Sequence, residues 1–225
     1  MQNSLSTNEP IALKEEESAI RFKTLCIYLI LLAVPGFFIN KLPLEGAEYE
    51  GVKGLIWFTY FMVVTLCYKE IRTFISPLLN VKAFKKPGTW LWIVLTFMLP
   101  YTLLHLCLYF EVILDKYFIF YFNNHMMHAG SWRQTIDVAI LTPISEEIVF
   151  RGILLTLLLR IIKPFWAITI TSLLFGLIHP SDIWMFTVLA GFLLTITAYK
   201  TKSILPAMMA HSLWNLYMVQ LFLYF

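Results

Sequence analysis

Charge is what this chain has least of. Only 14% of its 225 residues are Asp, Glu, Lys or Arg, against about 25% in an average soluble domain. With 59% apolar residues and a mean hydropathy of +0.73, that scarcity excludes an ordinary soluble surface and implies that much of the chain faces lipid. The net charge of +3 implies no nucleic-acid partner. Cysteine is also scarce. Cys26, Cys67 and Cys107 lie in separate apolar stretches, without CxxC or Cys/His ligand spacing, so they are expected to be buried thiols rather than a disulfide framework. No HExxH, internal repeat or low-complexity segment is present. Residues 1–23 lack both the basic start and the small-residue cleavage site of a signal peptide. They read as a polar cytoplasmic tail before an uncleaved span.

What is present is a series of apolar runs, 24–40, 55–68, 89–114, 136–159, 164–180, 183–199 and 204–225. A membrane-crossing helix needs about 20 residues, with a range of about 17–25. The expected fold is therefore all-α, a polytopic bundle of about seven transmembrane helices. Pro100 is expected to kink or tilt the long third run. Basic residues cluster at 14–23, in loop 69–88, and around 160–163 and 200–203, twelve against the four of Lys41, Lys53, Lys116 and Arg133. The positive-inside rule then puts the N-terminus in the cytoplasm. The chain divides into a tail (1–23), three accessory helices (24–135) and a polar-bearing core (136–225). Loop 115–135, with Asn123, Asn124, His125 and His128, reads as solvated.

Within the fourth run, Glu146, Glu147 and Arg151 put three formal charges where hydrocarbon is expected. Each costs several kcal/mol there, so such groups are rare and usually mark function. Glu147 and Arg151 stand at i,i+4 on one helical face, carboxylate first, the better order for an ion pair. Glu146 points about 100° away. The pair neutralises itself and leaves Glu146 as a separate titratable carboxylate. A structural lock between two helices explains Glu147 and Arg151 equally well, but not Glu146.

Two later runs carry further i,i+4 pairs, Phe175 with His179 and His211 with Asn215. Counted at about 1.5 Å per residue, Glu146 and His179 lie ~20 and ~22 Å from the cytoplasmic end, Asn215 ~16 Å and His211 ~10 Å. With tilts near 20°, one layer can hold them all. His105, lacking a polar partner at i±4, reads as structural. A carboxylate, a histidine and a histidine–amide pair are the parts of a hydrolase that activates water directly, one group taking a proton and fixed donors holding an oxyanion. Ser145 and Ser212 are each one helical position off that face and are explained by local hydrogen bonding.

Glu146-Glu147-x-x-x-Arg151, Phe175-x-x-x-His179 and His211-x-x-x-Asn215, with Phe150 and Gly152 flanking Arg151 and Ser203–Ala207 preceding Ala210-His211, resemble the three motifs of the CPBP (CAAX protease and bacteriocin-processing, or Abi) family. The resemblance covers about 136–225 and implies a glutamate-dependent intramembrane endopeptidase. It implies that Glu146 and His179 activate the water, that His211 and Asn215 hold the oxyanion, that Glu147 and Arg151 support them, and that Phe175 and Phe150 shape the pocket. The short tail looks more like the bacterial type, whose members are associated with bacteriocin processing, immunity and peptide signals. The eukaryotic type acts on prenylated C-termini. The implied partners are a peptide or protein substrate reached in or at the cell membrane, and the bilayer itself, with no cofactor. Three alternatives stay open: a zinc ion on the His and Glu side chains, a non-enzymatic immunity or scaffold protein, and a small proton-coupled transporter.

Overall fold

The computed structural model describes residues 22–44, 49, 51–110 and 131–221. Expectations for the N-terminal tail and for Asn123, Asn124, His125 and His128 lie outside the described residues. Among those described there is no strand, and each of the seven apolar runs is helical: α1 is Phe22–Asn40, α2 Val52–Cys67, α4 Pro87–Tyr109, α5 residues 132–161, α6 Pro164–Leu177, α7 Trp184–Thr201 and α8 Leu205–Leu216. Proline opens α4, α6 and α8, where its missing N–H has no helical partner to lose.

Among the described residues two helices are long and apolar enough to cross a membrane, Pro87–Tyr109 and Ser181–Thr201, with a third if the bent pair Val52–Cys67 and Lys69–Lys85 acts as one span. The first and fifth runs form shorter apolar helices. Helix α5 carries Arg133, Asp137, Glu146, Glu147, Arg151 and Arg160. Pro100 does not end α4, which continues through it. A packed bundle tolerates such a proline, and α7 packs on this stretch, with Thr96 Oγ1 bonded to Thr197 Oγ1 at 2.7 Å. The cysteines are free, but none is fully buried and Cys67 is exposed, so the expectation of buried thiols is corrected.

Segment 69–88, read from the sequence as a basic loop, is mostly helical. Tyr68 adopts an extended conformation that breaks the chain after α2, and the next helical stretch turns away by 95°. Its α3, Lys69–Ile75, continues in short 3-10 turns. Ile71, Phe74, Ile75 and Leu78 are buried. Their i, i+3, i+4, i+7 spacing is the pattern of an amphipathic helix, masked by the surrounding lysines. This segment caps the bundle: Leu78 O accepts from Ile204 N and from Ser203 Oγ, each at 3.0 Å, at the start of α8.

Helices α6 and α7 pack closely. A Cβ added to Gly191 would stand 2.8 Å from Ser172 O, and one on Gly176 would meet Val188 at 2.2 Å. Small residues let helix backbones approach where lipid supplies no hydrophobic drive for association. Gly191→Ala is expected to lower stability by about 1–2 kcal/mol, overpacking against a backbone oxygen outweighing the gain in helix propensity. Gly88→Ala, with open space around it, is expected not to. Thermal unfolding of the purified protein in detergent checks both.

Candidate active site

Helix α5 departs from regular α-helix at two places, Asp137–Leu141 and Ile148–Leu155, where it winds as π-helix. Such turns occur frequently at functional sites, and these two bracket Glu146 and Glu147. A π turn leaves a carbonyl without its α-helical donor. Val138 O, at the first of them, accepts from Asn215 Nδ2 at 2.8 Å. The amide of α8 is thereby oriented by α5.

Arg151 and Glu147 form the expected pair. Arg151 Nη1 donates to Glu147 Oε1 at 2.8 Å, and both side chains are fully buried. The rest of the guanidinium is held by α7, with Nε donating to Thr195 Oγ1 at 3.2 Å and Nη2 to Gly191 O at 3.1 Å. Its face lies 4.3 Å from the ring centre of Phe175, where a cation is attracted to the π-cloud. Phe175 also packs edge-on to Phe150 at 5.2 Å.

His211 joins this cluster from α8. Its Nδ1 is 3.0 Å from the same Glu147 Oε1. An oxygen that accepts from Arg151 as well carries no proton, so Nδ1 is the donor and the orientation of the ring is set. The opposite nitrogen, Nε2, faces Glu146 Oε2 at 3.7 Å, beyond hydrogen-bond length. That Glu146 oxygen is buried with no hydrogen-bond partner among the described residues. Buried polar atoms are usually satisfied, and an exception at the wall of a cavity is suited to accept a proton.

His179 does not sit on a helix as its spacing suggested. Helix α6 ends at Leu177, because Pro180 disfavours α conformation in the residue before it. His179 stands in the turn, with Trp184 Nε1 donating to its carbonyl at 2.8 Å. The Phe175–His179 association survives nonetheless, the rings lying 4.8 Å apart. His179 Nδ1 is 2.7 Å from Phe175 O. A carbonyl only accepts, so Nδ1 carries the proton and Nε2 is left as an acceptor.

Glu146, His179, His211, Asn215 and Phe175 all line one cavity of about 280 Å³. Glu147 and Arg151 lie behind it, and Phe150 supports it through Phe175. The remaining walls are mainly apolar and include Ile183, Phe186, Leu194, Trp214 and Met218. Thr96 and Pro100 of α4 also line it, so a helix read as accessory completes the site. No polar spacing within α4 signals this from sequence. His105 is outside the cavity lining and bonds Tyr217 OH at 2.7 Å. Asp137, a third carboxylate of α5, lies against α2 beside Gly54. Among the described residues no three His, Cys, Asp or Glu side chains are grouped to hold a metal ion.

A family model described as type II CAAX prenyl endopeptidase Rce1-like matches residues 128–217, a segment that includes every motif residue described above. No curated protein and no solved structure matches the chain.

Arg151→Met leaves Glu147 buried without its cation. It is expected to cost about 3–5 kcal/mol in unfolding stability, and Arg151→Met with Glu147→Gln less than that single change. Thermal melts of the two variants in one detergent check the order.

Proposed function

Since the chain belongs, through residues 128–217, to the Rce1-like family of type II CAAX prenyl endopeptidases, we propose that it is an intramembrane endopeptidase using Glu146 as general base. The observation that carries this reading is the division of labour between adjacent glutamates. Glu147 is bound through Oε1 to Arg151 and His211; its Oε2 and that of Glu146 both lack a partner among the described residues, but of the two only Glu146 lines the cavity that also holds both histidines and Asn215.

In this mechanism a water lies between Glu146 and His179 Nε2. Glu146 takes its proton as the oxygen attacks the scissile carbonyl. The oxyanion accepts hydrogen bonds from the second N–H of Asn215, held beforehand by Val138 O, and from Nε2–H of His211 in its doubly protonated form, whose Nδ1–H stays on Glu147. The proton then passes from Glu146 to the leaving amine. No covalent enzyme intermediate is required.

The apolar walls suit a substrate segment that reaches the site from the bilayer. The same reading takes the seven helices as a multi-pass bundle in the cell membrane, N-terminus in the cytoplasm, with basic segment 69–86 on that side. The substrate class is a membrane-associated peptide or protein terminus: a prenylated C-terminus, a bacteriocin or a signal-peptide precursor.

Glu146→Gln keeps the shape and removes the base, and is expected to slow processing by about 10²- to 10⁴-fold at unchanged protein level. Mass spectrometry of peptide and membrane-protein termini, in cells carrying wild type or Glu146→Gln, checks this. Uncleaved species should accumulate only with the variant. Identical termini in the two strains, with the chain's biological activity intact, would assign it a binding role instead. Activity of the purified protein is expected to survive chelator, and loss restored by zinc would replace the metal-free mechanism.

A further inference from the structure

Thr195 lies in the middle of α7, is fully buried, belongs to none of the three motifs and is not among the residues lining the cavity. Its environment is nonetheless directed at the site. The single hydroxyl proton goes to Gly191 O, one turn earlier on the same helix, at 2.6 Å. A lone pair of the hydroxyl therefore faces Arg151 Nε at 3.2 Å. Ser172 Oγ, bonded to Ile168 O at 2.8 Å, packs 3.3 Å from the same hydroxyl.

Helix α7 thus offers Arg151 two acceptors four residues apart, the Thr195 hydroxyl and the Gly191 carbonyl. A guanidinium is a planar fork with its donors in fixed directions. Once Nε and Nη2 are held, the direction of Nη1 is set, and with it the location of Glu147 Oε1. That oxygen in turn holds His211 Nδ1 at 3.0 Å and aims Nε2 toward Glu146. We propose that Thr195 is a positioning residue, which sets the orientation of His211 through Arg151 and Glu147. This role rests on the proteolytic reading of the site.

The two nearest substitutions separate positioning from packing. Thr195→Val keeps the branched shape and removes the acceptor, whereas Thr195→Ser keeps the hydroxyl and loses a methyl. A residue that only fills space tolerates Val better than Ser, while one that holds Arg151 tolerates Ser better than Val.

The experiment compares cells carrying wild type, Glu146→Gln, Thr195→Val or Thr195→Ser at matched protein level. It reads the rate at which Glu146-dependent termini are cleaved, alongside the melting temperature of each purified protein. Thr195→Val is expected to slow cleavage roughly 10- to 100-fold, the rate equivalent of one hydrogen bond to a charged group. Thr195→Ser should cleave close to wild type even where it melts lower. Should Thr195→Val not accumulate, Thr195→Ala, which also lacks the hydroxyl, takes its place. Wild-type cleavage by the hydroxyl-free variant, or equal impairment in Ser and Val, would overturn the positioning role while leaving the protease intact. If no terminus depends on Glu146, the proteolytic reading itself fails and this role fails with it, a result distinct from the other two.

Discussion

The buried Arg151 guanidinium governs how the helices around the site pack. A permanently charged group in a bundle interior is tolerable only when paired and hydrogen-bonded on every available side. Here those partners come from three helices. Glu147 lies one turn earlier on α5, Thr195 and Gly191 are on α7, and the ring of Phe175 on α6 covers the guanidinium face. Satisfying one side chain thereby fixes how α5, α6 and α7 lie against one another. The close approach of α6 and α7 at Gly176 and Gly191 brings those partners within reach.

The same arrangement determines which carboxylate is left over. Adjacent helical residues point about 100° apart, so the helix that turns Glu147 inward to Arg151 turns Glu146 toward the cavity. His211 lies between them, bonded to the first and 3.7 Å from the second. Both histidines donate through Nδ1 to acceptors with no proton of their own, Glu147 Oε1 for His211 and Phe175 O for His179. Most of the side-chain orientation that a water-activating site needs is therefore established before any substrate enters.

Local spacing made part of this legible in the sequence. Glu147 and Arg151 at i,i+4 meet because four residues make about one helical turn, and that relation depends on nothing distant. The apolar runs likewise become helices where expected, since backbone groups in such surroundings must be satisfied within their own segment. What escaped depended on contacts between segments far apart in the chain. Thr96 and Pro100 join the cavity only because α4 packs on α7 and α8, and nothing in their own spacing distinguishes them from lipid-facing neighbours. Thr195 and Ser172 look like ordinary threonine and serine of an apolar helix until Arg151 is placed. The π turns of α5 are invisible to a periodicity argument, yet Val138 O depends on one to anchor Asn215. His179 was placed on a helix by counting in fours, whereas Pro180 puts it in a turn. Segment 69–88 read as a loop because its lysines outweighed the spacing of Ile71, Phe74, Ile75 and Leu78.

If Glu146, left outside the hydrogen-bonded chain of Arg151, Glu147 and His211, activates the water that cleaves a peptide bond, isotope labelling will show it. Purified protein in lipid nanodiscs is incubated with a membrane extract in ¹⁸O-enriched water, and newly formed C-termini are read by mass spectrometry. C-terminal carboxylates carrying ¹⁸O are expected with wild type, and loss of those termini with Glu146→Gln. The same labelled termini, formed at the same rate by Glu146→Gln, would rule out Glu146 as the base.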